Sequence, residues 1–544
     1  MAVAPDAPAA GARPAGRLPR PDGWAVAALV VALVVAAPLL VLPGAFLDPR
    51  VDVWWDVTDS VLGEAVRNTL LVGAGVGAGT LLLGTSLALL VSFYDFPGRR
   101  VLDWALILPL ALPAYVLTFV WLGQVGFDLP LRSPAGAIVI LTLAFYPYVY
   151  LLARAAFRGQ GGHVIEAARS LGASRLGAIV RVALPMARPA LAAGTLLAMM
   201  EALADFGSVQ LLGVRTFTVA IYQVWFGAFD RLAATQLATF LMGLTLALFA
   251  LERLARGRAR FEQQGGRAPA ADRVRLRGMR GLLAAAFPAA VLAIAFLDPL
   301  VQLLLWSAES FDEPLVRSGF ATWARNSVLL ALMAALIAVP VALLLVYGLR
   351  VAPSRLGRVA ARVASVGYGV PGSVVAVGAL VVLSWVDHRL QDAGELAGLS
   401  LGLLLTGSAL GLVFAYVVRF LAIAFQSLES QMARLPPSLD AAARSLGADR
   451  LEVMWRVHLP LLRMGMLVAA LLVFVETMKE LPATVLLRPF GGDTLAVAVW
   501  QSTTESLWEA AALPALAIVA VGLVPVVLLM RALDRSGRRD LVGG

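Results

Sequence analysis

Twelve separate stretches of this chain are apolar over lengths that match the hydrocarbon thickness of a bilayer. Inside lipid every backbone N–H and C=O must be satisfied within the structure, so runs of about 20 apolar residues can only cross as helices. The expectation is therefore an all-α polytopic membrane protein of about 12 transmembrane helices. The spans fall at 24–46, 68–93, 101–123, 135–156, 187–212, 234–252, 282–306, 326–348, 359–386, 399–425, 462–487 and 508–531. A mean hydropathy of +0.83 over 544 residues agrees, because a soluble domain has no interior large enough for that much apolar surface.

Arginine placement orients the spans. Arg13, Arg17 and Arg20 precede the first, and Arg531, Arg535, Arg538 and Arg539 end or follow the last. The loop Glu252–Gly281 carries Arg253, Arg256, Arg258, Arg260, Arg267, Arg273, Arg275, Arg277 and Arg280. By the positive-inside rule this loop and both termini are cytoplasmic. Loops on the other side are acidic, with Asp48, Asp52, Asp56, Asp59 and Glu64 in one and Glu309, Asp312 and Glu313 in another. The net charge of +9 is thus topological: the arginines lie beside spans without interleaved aromatics, and nucleic acid is not expected as a partner. The first run has no A-x-A site after it and reads as a retained helix rather than a cleaved signal.

The chain offers little chemistry of its own. It has no cysteine, which removes disulfides and thiolate ligands. Its histidines are His163, His388 and His458, none at metal-ligand spacing; His458 reads as a structural residue without a ligand partner. The single lysine, Lys479, follows Met478, so no P-loop Gly-Lys pair exists. No catalytic residue, metal site or chain-bound cofactor is expected, and energy from ATP must arrive through another subunit.

The two halves of the sequence repeat each other. Arg67-Asn68-Thr69 matches Arg325-Asn326-Ser327, Pro113 matches Pro371, Glu201 matches Glu476, and Thr216/Val219/Gln223 match Thr494/Val497/Gln501. Six spans per copy give both copies the same orientation, related by an axis along the membrane normal, with a path between them. The expected organisation is a cytoplasmic tail over 1–23, a first repeat over 24–252 (core about 62–252), an Arg-rich linker over 253–281, a second repeat over 282–532 (core about 320–532) and a tail over 533–544.

The strongest match is a polar loop between spans four and five, repeated between spans ten and eleven. It reads Glu166-Ala167-Ala168-Arg169-Ser170-Leu171-Gly172 and, nine residues on, Val182-Ala183-Leu184-Pro185. The second copy reads Ala441-Ala442-Ala443-Arg444-Ser445-Leu446-Gly447, then Val457-His458-Leu459-Pro460. Ala-Ala-Arg-Ser-Leu favours a short helix, the glycine ends it, and Leu-Pro starts the return into the bilayer. An amphipathic helix lying at the headgroups would explain one copy; two copies at identical spacing point to a docking element.

This pattern resembles the E-A-A-x3-G-x9-I-x-L-P signature of the membrane subunits of bacterial ATP-binding-cassette importers, here two such subunits fused head to tail. The resemblance implies that Glu166, Ala167, Ala168, Arg169, Gly172, Leu184 and Pro185 couple to one cytoplasmic ATPase. Asp440, Ala442, Ala443, Arg444, Gly447, Leu459 and Pro460 would couple to a second copy, with Arg175 and Arg450 adding charge. The second loop departs from the signature, with Ala441 at the glutamate position and Asp440 one residue earlier. Further stretches, LPLALPAYVLTFVWLGQ, GYGVPGSVVAVG and MKELPATVLLRPFGGDTLAVAVW among them, are similar to fused ferric-iron permeases. They imply a bacterial inner-membrane importer of Fe(III) fed by a periplasmic binding protein. Permeases for thiamine, polyamines, sulfate or phosphonates share the architecture and stay open as alternatives, as does a twelve-span secondary transporter.

Ionisable residues inside spans cost about 2.5–3.5 kcal/mol each even on the gentler insertion scale, so they face protein or water. Glu201/Asp205 and Glu476/Glu480 share i,i+4 spacing, with Lys479 beside them. They either line the translocation path or its gate, or act as interhelical glue with Lys479 neutralising Glu476 or Glu480. Tyr146, Tyr148 and Tyr150 are expected as interfacial anchors rather than iron ligands.

Overall fold

The computed structural model describes residues 23–47, 55, 61–126, 130–159, 161–257, 273–311, 314–396, 398 and 402–542. Arg13, Arg17, Arg20, Asp48, Asp52, Asp56, Asp59, Arg258, Arg260, Arg267, Asp312 and Glu313, on which part of the topology rests, lie outside them.

Among the described residues eleven helices are long and apolar enough to span, or twelve if one bent pair is counted. That pair corrects the expected span 101–123. Its chain runs through Arg99–Ala111, turns by 92° and continues as Ala114–Val125. Pro113 follows Leu112, whose backbone is forced extended, while apolar composition continues across the break and conceals it. The expected span 359–386 divides in the same way. Arg355–Ala364 is a separate helix with Arg355, Arg358 and Arg362 exposed and Ala360, Ala361 and Ala364 buried, and the span proper begins at Gly372 and runs to Leu396. Pro371 stands at this break as Pro113 does at the other.

Spans five and eleven also differ from expectation. Each is one helix of 30 residues, Arg175–Ala204 and Arg450–Lys479, that starts well before Leu184-Pro185 and Leu459-Pro460. A proline cannot supply the N–H that the preceding turn needs, and in both helices the turn before it widens into a π-turn, Ile179–Ala183 and Met454–His458. Both helices then stop short, at Ala204 and Lys479, and are followed by separate short helices, Gly207–Leu211 and Pro482–Leu487.

The repeats interlock. One core joins the central helices of the first repeat to Val291, Phe296 and Trp306 of the seventh span and to Ala511, Ala515 and Ile518 of the last. The other joins the central helices of the second repeat to Ala28, Ala32 and Val35 of the first span and to Ala234, Leu237 and Leu241 of the sixth. The outer helices of each repeat therefore brace the opposite one. Phe119 stacks on Trp306, and Trp24 meets Tyr347 edge-on. Residues Val274–Arg275, at the end of the linker, add a short parallel strand to Tyr94–Asp95 of the first repeat.

Candidate functional site

On each repeat the signature loop forms an exposed helix, Gly161–Ser170 and Pro437–Ser445. Both end alike. Gly172 N donates to Arg169 O and Ala173 N to Ala168 O, at 2.9 and 3.1 Å; Gly447 N donates to Arg444 O and Ala448 N to Ala443 O, at 3.0 and 3.1 Å. Each glycine has φ of +88°, a backbone that a side chain strains. The chain re-enters the next helix through a capping side chain, Ser174 accepting from Gly177 N at 3.1 Å and Asp449 from Glu452 N at 2.7 Å.

Glu166, Ala167, Arg169, Ala442 and Arg444 are exposed, while Ala168 and Ala443 are half-buried. Sequence reasoning passed over the largest feature of this face. Leu171 and Leu446, at the helix ends, are 89% and 88% exposed. Two matched leucines are thus held in solvent on equivalent loops.

Asp440 does not take Glu166's place. Its carboxylate turns inward, accepting from Arg350 Nε at 2.8 Å and facing His458 Nε2 at 2.7 Å. His458 is fully buried. It is structural, as expected, but it has a partner 18 residues upstream that metal-ligand spacing does not reveal. Burial pushes the Asp440 carboxyl up, but the hydrogen bonds and charges of Arg350 and His458 outweigh it and hold the carboxyl below the usual range.

Between the repeats lies a cavity of about 600 Å³ whose lining includes Tyr115, Tyr148, Glu201, Asp205, Tyr368, Arg419, Glu476, Lys479 and Glu480. All five intramembrane ionisable residues singled out in the sequence reach it, and the structure divides them by role. Asp205 caps the short helix behind it, accepting from Ser208 Oγ at 2.8 Å and Val209 N at 3.1 Å. Glu480 does the same through Ala483 N at 3.0 Å and also pairs with Arg419 at 3.2 Å. Lys479 pairs with Glu476 at 3.2 Å. Glu201 instead accepts from the phenol of Tyr368, in the opposite repeat, at 3.2 Å, and Tyr148 lines the same cavity. Interhelical pairing and cavity lining thus coexist. Gly372 makes the Arg419–Glu480 pair possible: a Cβ there would collide with both Arg419 Nη1 and Glu480 Oε1.

Two of the three tyrosines correct the expectation of interfacial anchors. Tyr146 and Tyr150 are fully buried and donate to the carbonyls of Leu106 and Asp103, at 3.0 and 2.7 Å, binding span four to the bent third span. Tyr148, between them, points to the cavity.

Two interlocked helical bundles enclosing a cavity that a few charged side chains reach, with a matched exposed helix on each, define a membrane transport permease of duplicated form. The chain belongs to the family described as the inner-membrane component of binding-protein-dependent transport systems, whose profile it matches twice, over residues 80–260 and 338–539. It is 29% identical to the Fe(3+)-transport system permease protein FbpB 2 of Haemophilus influenzae, over 86% of this chain and 90% of that one. It is also 28% identical to the molybdate/tungstate transport system permease protein WtpB of Thermococcus kodakarensis, over 41% of this chain and 91% of that one. Among solved structures, a bacterial alginate ABC transporter is 17% identical with a TM-score of 0.38, covering 45% of this chain and 91% of the other.

Proposed function

We propose that this multi-pass inner-membrane permease carries ferric iron from a periplasmic binding protein to the cytoplasm by alternating access. Two copies of a cytoplasmic ATPase subunit drive it through the loop helices around Glu166 and Ala442. Both termini are cytoplasmic in this reading, ATP is bound and hydrolysed by the partner, and the chain itself needs no cofactor.

The observation that carries the choice of cargo is the charge arrangement of the cavity. Its cations, Arg419 and Lys479, are each tied to a carboxylate, Glu480 and Glu476. Glu201 accepts from the phenol of Tyr368. The polar part of a mostly apolar lining holds more carboxylates than cations, with Arg419 Nε the donor left without a partner among the described residues, and this balance favours a hard cation over an oxyanion such as molybdate. The exposed, paired loop helices support ATP coupling over a secondary transporter, which has no use for them.

The test is uptake of radiolabelled iron and, separately, of molybdate and thiamine in proteoliposomes holding this chain, its ATPase and its binding protein. ATP-dependent uptake of iron alone supports the reading. ATP-dependent uptake of an oxyanion or thiamine keeps the machine and replaces the cargo, and uptake without ATP restores the secondary transporter.

A further inference from the structure

We propose that Asp440, His458 and Arg350 are positioning residues that clamp the second loop helix to the membrane bundle, making the two ATPase contacts mechanically unequal. The proposal rests on the coupling role given above to the loop helices.

The clamp has three points. Asp440 lies in the first turn of the helix Pro437–Ser445. One carboxylate oxygen accepts from Arg350, in the last turn of the helix Pro314–Val351, at 2.8 Å. The other faces Nε2 of His458, the last residue of the π-turn that leads into span eleven, at 2.7 Å. Tyr347, one turn before Arg350, donates to the carbonyl of Arg450 just beyond the loop helix, and its ring meets the His458 ring edge-on at 5.4 Å. Arg350 also reaches the carbonyl of Met432, at the end of span ten, at 3.5 Å. Spans eight, ten and eleven therefore converge on one loop helix. Charge-assisted hydrogen bonds to a carboxylate withdrawn from solvent are the strong ones, and they fix direction as well as distance.

The sequence of the first repeat does not repeat this Asp–His–Arg set. In the same register its sequence places Ile165 for Asp440, Ala183 for His458, Ser92 for Arg350 and Leu89 for Tyr347. The first loop is joined to the bundle differently, Arg175 donating to the carbonyl of Phe93 at 3.2 Å and lying over the Tyr94 ring. The shared glycine-ended helices dock; the Asp440–His458–Arg350 clamp, whose residue set the sequence carries in one repeat, sets how rigidly docking moves the spans. On this account the second loop transmits nucleotide-driven motion with little slack, and the first is the compliant side.

The absence of cysteine permits a direct test. Ser170 and Ser445, equivalent and exposed, are each changed to cysteine in the otherwise unaltered chain and carry a nitroxide label. Label mobility is read in the full-length chain in phosphatidylglycerol/phosphatidylethanolamine nanodiscs, and uptake per ATP hydrolysed in the assembled transporter. The expected result is a less mobile label at 445 than at 170. His458→Ala should release the label at 445, leave that at 170 unchanged and lower uptake per ATP by about tenfold, the scale of one charge-assisted hydrogen bond. His458→Gln, whose Nε2 can still donate to Asp440, should restore both readings. Equal mobility of the two labels in the parent chain overturns the proposal, as does a His458→Ala variant that frees the label without uncoupling transport. If His458→Ala fails to fold, the same readings in Arg350→Gln decide. An ATPase that does not bind the parent chain refutes the coupling reading instead, and the mobility difference would survive it.

Discussion

Gly372→Ala places a methyl group where the Arg419–Glu480 pair now passes, and its cost follows from what the pair must give up. The two side chains are 12% and 5% exposed, so each charge gains little hydration when the contact at 3.2 Å opens. Glu480 keeps its bond from Ala483 N, which spares it complete isolation. Loss of one hydrogen bond to a charged group costs about 1.5–3 kcal/mol, and breaking a buried pair outright costs about 3–5 kcal/mol. The expected destabilisation lies where those ranges meet, about 3 kcal/mol. It should appear as a lowered melting temperature of the purified chain in nanodiscs, followed by tryptophan fluorescence, and as loss of iron uptake. Replacing the pair by apolar residues, Arg419→Met with Glu480→Leu, should recover most of the stability in the Gly372→Ala background, because the charges that needed the space are gone. A Gly372→Ala variant that melts with the parent would refute the reasoning, since the pair would then be able to move aside at no cost.

Other substitutions separate backbone, charge and cargo. Gly172→Ala and Gly447→Ala should each cost about 1–2 kcal/mol of loop-helix termination through the positive φ alone, because a Cβ at either position meets nothing; circular dichroism melts of the two variants should coincide while uptake falls further for Gly447→Ala. The Asp440 carboxyl is held below its ordinary range by Arg350 and His458, with Tyr347 against the His458 ring and Arg444 donating to the Asp440 carbonyl. A depressed carboxylate contributes stability above its unfolded pKa and loses it as pH falls through the folded one. The label at position 445 should therefore stay immobile through neutral pH and loosen only in acid, and Asp440→Asn should abolish that acid transition. Leu171→Ser and Leu446→Ser, which touch only the exposed tips, should leave the melting temperature of the chain unchanged and weaken ATPase binding in a pull-down.

Much of the architecture was legible because its signals are long or doubled. A span of apolar residues needs no tertiary information, and the loop helices announce themselves by an alanine-rich turn and a glycine at matched spacing. The breaks at Pro113 and Pro371 were concealed by the same apolarity that reveals spans: hydropathy is silent on backbone direction, and the prolines were visible but read as repeat markers. The proline-linked π-turns escaped for a related reason, since Leu184-Pro185 reads as a helix start when the helix in fact begins at Arg175. What sequence cannot supply is who meets whom. Tyr368 reaches Glu201 from the opposite repeat, and Arg350 meets Asp440 from 90 residues away. Trp500 donates to Gln210 across the two halves at 2.8 Å. Those contacts follow from the interlocking of outer helices, and they separate the carboxylate in MMEALADFG that caps a helix from the one that meets a phenol of the opposite repeat.

The central claim is that the cavity passes a hard cation past Glu201 under ATP control. The most direct measurement is ATP-driven uptake of radiolabelled ferric iron by proteoliposomes of the complete transporter, comparing the parent chain with Glu201→Gln. The account predicts uptake that requires ATP and falls at least about tenfold in Glu201→Gln, the effect expected when a charged ligand oxygen is replaced by a neutral one, with ATPase binding retained. Undiminished iron uptake by Glu201→Gln, or ATP-driven uptake of molybdate in place of iron, would contradict it.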